Sequence, residues 1–160
     1  MKLFKRTFHQ RETELEFNRF GGRFGFWETL KKGGSGSVRM HYVRGAITEQ
    51  IGMGGHRLLP LVNLEVRPEA LIIHVNCYNE NQYSWCMYNT EIARVEWIEN
   101  PHFDVHEGHH DFSKNAAIRI FGTDGVVLCE LAVGHIYKKA VLRFLKNWFL
   151  DNRGFVFFIQ

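Results

Sequence analysis

Four of the nine histidines of this chain gather in one place. His102, Asp104, His106, Glu107, His109, His110 and Asp111 all fall within one polar stretch, and imidazole and carboxylate are ordinary ligands for zinc and other divalent cations. A metal-dependent hydrolase would take His106, His109 and His110 as ligands and Glu107 as general base. The spacing is irregular, however, and no H-E-x-x-H occurs. A long polar loop also offers few partners to fix the orientation of metal-bound imidazoles. The plainer reading is a solvated loop whose histidines titrate at about pH 6–7, where unperturbed imidazole does. No motif calls for a cofactor, so a divalent metal in this loop is the one in question.

A second constellation lies near the start. Residues 19–24 read Arg-Phe-Gly-Gly-Arg-Phe, and Lys31 and Lys32 follow closely. Guanidinium and ammonium groups bind phosphate by charge, and aromatic rings stack on bases. Arg19, Arg23, Lys31 and Lys32 are therefore candidates for a basic patch that takes the phosphates of an anionic lipid surface or of nucleic acid. A hairpin whose turn is flanked by two arginines accounts for the first segment equally well. The formal net charge is +3 with an isoelectric point near 8.8. That is mildly basic, well short of a dedicated nucleic-acid binder.

Other chemistries are poorly served. Gly52-Met53-Gly54-Gly55 is followed by no Lys-Ser/Thr pair and fits no phosphate-binding loop. The serines are Ser35, Ser37, Ser84 and Ser113, and none stands in G-x-S-x-G. Cys77, Cys86 and Cys129 form an odd set without C-x-x-C spacing, each in a strand-like run. They read as buried free thiols of a reducing compartment, with a cross-hairpin bridge between Cys77 and Cys86 as the alternative.

The elements that must position these residues follow from periodicity. Leu15 and Phe17, then Phe24 and Phe26, alternate on either side of Gly21-Gly22, which predicts an N-terminal β-hairpin with a tight turn. A rival reading makes 11–30 a helix, good over 12–18 and opposed by the glycines at 21, 22 and 25. Residues 31–37, Lys-Lys-Gly-Gly-Ser-Gly-Ser, have the composition of a flexible linker, natural or engineered. Strands are predicted over 38–47, 58–66, 70–77, 82–88 and 91–98, with Leu71, Ile73, Val75 and Cys77 on one face. Residues 99–115 form a second flexible loop. A hairpin over 116–121 and 126–133 turns at Gly122-Thr123-Asp124-Gly125, where Gly125 suits the left-handed position. Then Ile136, Ala140, Val141, Phe144, Leu145 and Trp148 recur at helical steps opposite Lys138, Lys139, Arg143 and Lys146. The apolar run 155–159 reads as a strand added to a sheet edge, or as a tail that docks on a partner.

The chain has 160 residues, 45% of them hydrophobic, with 14 phenylalanines. That is one domain, large enough to fold around its own core without staples. Lys2, Lys5 and Arg6 are not followed by the apolar stretch of a secretory signal, and no apolar run approaches the ~20 residues of a transmembrane helix. The expectation is a soluble, cytoplasmic protein.

Many strands closed by one late amphipathic helix predict a mainly β fold: an antiparallel, partly closed barrel or sandwich capped by a C-terminal helix. Residues 58–149 carry a resemblance to the pleckstrin-homology superfold, including its bacterial relatives. The hairpin from Ile118-Arg119-Ile120 to Leu128-Cys129-Glu130 feeds directly into the helix, and Trp148 near the helix end resembles the buried tryptophan of the eukaryotic family. The resemblance rests on the order of elements. The basic phosphoinositide signature is not clear at the first hairpin, and the strand after the helix is extra. It implies a single domain over 1–160 that binds a protein partner or an anionic lipid surface without catalysis. A barrel holding a small apolar ligand is the alternative, beside the metal-dependent hydrolase.

Overall fold

The computed structural model describes residues 1–6, 10–51, 59–77, 82–101, 103, 115–150 and 156–159, with only the backbone described for 10–13. Nine strands among them form one sheet: β1 (Lys2–Lys5), β2 (Met40–Gly45), β3 (Leu61–Val66), β4 (Ala70–Asn76), β5 (Gln82–Tyr88), β6 (Ile92–Glu99), β7 (Ala116–Gly122), β8 (Val127–Val133) and β9 (Val156–Ile159). Three helices accompany them: α1 (Gln10–Asn18), α2 (Phe26–Lys31) and α3 (Lys138–Phe149). The strand order is β1-β5-β4-β3-β2-β8-β7-β6-β9. The fold is thus mainly β, and the strands run close to where alternation put them.

Three expectations are corrected. The sheet is mixed, because β9 pairs with β6 in parallel while every other neighbour is antiparallel. β8 runs in the sense of β6, so β8, α3 and β9 make a crossover between strands of one direction, as parallel strands require. The sheet is also not closed. Its edges are β1 and β9, brought there by the two ends of the described chain.

The third correction concerns the N-terminal hairpin, which is replaced by helix. Gln10, Glu12, Glu14, Leu15 and Glu16 are sound helix formers, and a helix separates the two residues that a strand would have put on one face. Phe17 is buried while Leu15 is exposed. Gly21 sits at φ +88° where the chain leaves α1, and a Cβ there would meet the Glu69 backbone nitrogen at 3.1 Å. The glycine is needed for the exit from a helix, not for a hairpin turn. At Gly125 the expected turn is present, with φ +78°.

The sheet bends around one main core. Val62, Leu64 and Val66 of β3, Leu71, Ile73 and Val75 of β4, Trp85 and Met87 of β5, and Val95 and Trp97 of β6 share it with Val141, Phe144, Leu145, Trp148 and Phe149 of α3. The amphipathic helix thus buries its apolar stripe against the sheet, as its period required. Ile136 is the exception: it falls in a 3₁₀ turn, His135–Tyr137, ahead of α3 and is exposed. The opposite face of the sheet carries a smaller core, where Phe17 and Phe20 at the end of α1 cover Ala70, Ile72 and Cys86, with Phe4 at the margin. Cys77 packs against the main core and Cys86 lies in the smaller one. They face away from each other, and all three cysteines are free. No helix among the described residues is long and apolar enough to cross a membrane.

Candidate functional site

The sequence 31–37, read as a flexible connection, is held along its length. β2 pairs with β3 only at Met40–Val62 and His41–Leu61, so the rest of that β3 edge is open and takes the connection instead. Ser37 N donates to Leu64 O at 2.8 Å, Val66 N donates to Ser35 O at 2.8 Å, and the Ser37 hydroxyl accepts from Leu64 N at 2.8 Å. Satisfying these edge groups is what an interrupted ladder demands.

α3 holds the same segment from the other side. Trp148, fully buried, donates its indole N–H to the Gly34 carbonyl at 2.7 Å. Asn147 Nδ2 donates to the Lys32 carbonyl at 3.0 Å. Phe24 packs on the Trp148 ring at 4.5 Å between centroids, and the Lys32 ammonium stands 4.8 Å from the centre of that ring. A buried tryptophan must find an acceptor for its N–H, and here the acceptor is the backbone that follows α2. The helix α2 is therefore fixed by its flanks, and none of its own side chains is buried.

Between α2 and the end of α3 lies a groove of about 890 Å³, lined among others by Phe24, Glu28, Lys31, Lys32, Lys146 and Trp148. Pro68 and Asn89 form its far rim, where Asn89 Nδ2 donates to the Pro68 carbonyl at 3.0 Å. Among the described residues, three lysines and one carboxylate thus border one opening. Phe26, Trp27 and Leu30 of α2 are not in its lining and stand at 72%, 78% and 61% exposure.

The candidate basic residues divide. Lys31 and Lys32 line the groove. Arg19 and Arg23 are already paired, Arg19 with Glu16 at 3.1 Å and Arg23 with Glu14 at 3.0 Å. Both side chains keep 70% exposure while their guanidinium groups meet these carboxylates of α1. Lys146 was legible only as part of a polar helix face. Its place at the groove depends on how α3 meets the sheet. The histidines proposed as metal ligands, His106, His109 and His110, lie outside the described residues. Among the described residues no cluster of three or more His, Cys, Asp or Glu side chains is placed to hold a metal ion.

A chain of polar contacts that periodicity did not reveal runs across the face under α1. Ser84 Oγ lies 2.9 Å from His74 Nδ1, and His74 Nε2 lies 2.8 Å from Glu65 Oε2. Arg67, almost wholly buried, donates from Nε to Glu65 Oε1 at 2.6 Å and reaches Glu14 of α1 at 3.5 Å. Burial pushes the Glu65 carboxyl up, but the bonds from His74 and Arg67 outweigh it and hold the group below its ordinary value. The His74 ring thus bridges the serine hydroxyl and the Glu65 carboxylate. This order of serine, imidazole and carboxylate matches a hydrolytic triad in composition. Its hydroxyl, however, belongs to a residue with no exposed surface, so no carbonyl can reach it. The chain satisfies buried polar groups and binds α1 to the sheet. Burial pushes the Cys86 thiol up to about 12 and raises Cys77 and Cys129 as well, away from the thiolate that nucleophilic chemistry needs. Comparison of this chain with protein-family models, with curated proteins and with solved structures finds no match.

Proposed function

We propose that this protein is a non-catalytic recognition domain of the pleckstrin-homology-like kind, and that it docks on an anionic lipid surface through the lysine-bordered groove. The order β5-β4-β3-β2-β8-β7-β6, with α3 following β8 into the interior, supports the architecture. On this reading β1, α1, α2 and β9 are additions to a curved sheet capped by one helix. The observation that carries the function is the convergence of Lys31, Lys32 and Lys146 on one opening, with Glu28 the one carboxylate among the described residues of its lining. Lysine ammonium groups on flexible stems adapt to the phosphates of many headgroups. A cytoplasmic protein would meet such lipids at the inner leaflet, where polybasic segments are attracted.

The test is flotation with vesicles of phosphatidylcholine alone or mixed with phosphatidylserine. Binding is expected only with the anionic lipid and weakens as salt screens it. Each of Lys31→Glu, Lys32→Glu and Lys146→Glu reduces partitioning by at least about fivefold, since one basic residue near such a surface contributes about 1 kcal/mol. Equal flotation on both vesicles, or insensitivity to all three reversals, refutes the reading.

One observation favours a protein partner as a second reading. The outer edge of β9 carries no charged residue, with Val156 and Phe158 exposed, whereas the edge strand β1 carries Lys2 and Lys5. Lysine on an edge discourages strand addition, so β9 is the edge open to a partner's strand. Phe158→Lys should abolish any such capture, and a partner retained by that variant argues against it.

A further inference from the structure

We infer that α2 is a membrane wedge: on an anionic bilayer, Phe26, Trp27 and Leu30 enter the boundary between headgroups and acyl chains while Lys31, Lys32 and Lys146 remain at the phosphates. This rests on the proposed lipid-surface function and narrows it, from an anionic surface of any kind to an assembled bilayer with an apolar interior.

Four observations meet here. α2 buries none of its side chains, although three of its six residues are large and apolar. Left in water, such a patch has a standing hydrophobic cost that a partner surface removes. The rings of Phe26 and Trp27 touch edge to face, 5.3 Å between centroids, so they present one continuous apolar projection. The helix is anchored behind that projection by the grip of Asn147 and Trp148 on the Lys32 and Gly34 carbonyls, so insertion can proceed without losing the tie to the core. Finally, Lys31 closes the same helix that carries the apolar group, Lys32 follows it directly, and Lys146 lines the groove with both. An aromatic and aliphatic projection bordered by lysines is the composition that settles at a membrane interface, rings at the headgroup level and ammonium groups outward.

Charge selects the occupant. A second copy meeting α2 face to face about a two-fold axis would bring the same three lysines against one another, and like charges in an interface are costly. An anionic bilayer answers those charges and the apolar side chains at once. Another exposed apolar segment, β9, has no lysine in its sequence and lacks this complementarity.

The tryptophans supply the readout. Trp85, Trp97 and Trp148 are buried at 2%, 0% and 0% exposure, against 78% for Trp27, so a change in emission toward the blue on binding reports Trp27. Full-length protein titrated with phosphatidylcholine–phosphatidylserine vesicles is expected to shift to the blue and to be quenched by lipids brominated on the acyl chain. Soluble phosphoserine should produce neither effect. Trp27→Phe loses the signal while still floating with the vesicles. The triple variant Phe26→Ala, Trp27→Ala, Leu30→Ala loses at least about tenfold in partitioning, a modest share of the apolar area available, with its melting temperature held.

Flotation that survives in the triple variant, with Trp27 emission unmoved in the native protein, overturns the wedge and leaves the electrostatic reading standing. A blue shift with phosphoserine alone overturns it in favour of a soluble ligand. A lower sedimenting mass of the triple variant without lipid overturns it in favour of self-association. Absence of any anionic-vesicle binding removes the proposed function itself, and the wedge with it.

Discussion

Two short helices lie close together in the first part of the chain and are used in opposite ways. α1 turns Phe17 inward, and Phe20 just beyond it follows, both about 5% exposed or less. Its carboxylates are engaged as well, Glu14 with Arg23 and Arg67, Glu16 with Lys2 and Arg19. α2 buries nothing and presents Phe26, Trp27 and Leu30 to solvent beside the lysines of the groove. Aromatic residues are therefore structural at α1 and displayed at α2. Of the basic patch suggested by residue types alone, Arg19 and Arg23 pair with carboxylates of α1, whereas Lys31 and Lys32 line the groove.

The strongest test of this contrast is the residue that supports α2 from behind. Trp148→Ala should destabilise the protein by about 3–5 kcal/mol, the range for removing a buried aromatic, and should free the Gly34 carbonyl from its indole partner. Denaturant melts check the size of the loss. An unchanged midpoint would mean that α3 does not support this face.

Phe17→Ala should cost about 3 kcal/mol, toward the lower end because the core beneath α1 is small. Phe26→Ala should change stability by no more than about 0.5 kcal/mol. Equal losses at the two positions would erase the distinction between the helices.

Acid gives a smaller effect. Glu65 has its folded-state pKa depressed: burial opposes this, but His74 and Arg67 prevail. Its contribution to stability is therefore complete above the ordinary carboxylate value of 4.5 and falls away as pH drops below that value through the lower folded one. Glu65→Gln should flatten that part of the stability–pH curve, measured by thermal melts across the acid range. Smallest of all, Arg23→Ala should cost at most about 0.5 kcal/mol, because an exposed pair with Glu14 is worth little, and should leave vesicle binding nearly intact. A loss of binding as large as that of Lys31→Glu would return Arg23 to the surface patch.

Much of the strand pattern was legible because alternation is local. Leu71, Ile73 and Val75 face the main core as their period of two demands, and Gly125 takes the left-handed turn position. The N-terminal segment was misread because Leu15 and Phe17 alternate over too few residues to outweigh helix propensity. The chain from Ser84 through His74 to Glu65 was hidden for a different reason. Its members come from three strands, and only the pairings Asn63–His74 and His74–Ser84 bring them together. A shift of one residue in either pairing would turn its members to opposite faces. Lys146 joins Lys31 and Lys32 where α3 meets the segment after α2, with Asn147 and Trp148 on the Lys32 and Gly34 carbonyls.

Local pattern carried the mainly β class of fold and the elements from β2 to α3, since periodicity and turn chemistry act over a few neighbouring residues: strands in succession, then a helix with one apolar side. Tertiary structure alone decided that the sheet stays open, that β9 joins it in parallel, and which cations are spent on carboxylates. Those outcomes depend on contacts between segments up to a hundred residues apart, whose energies no local pattern encodes.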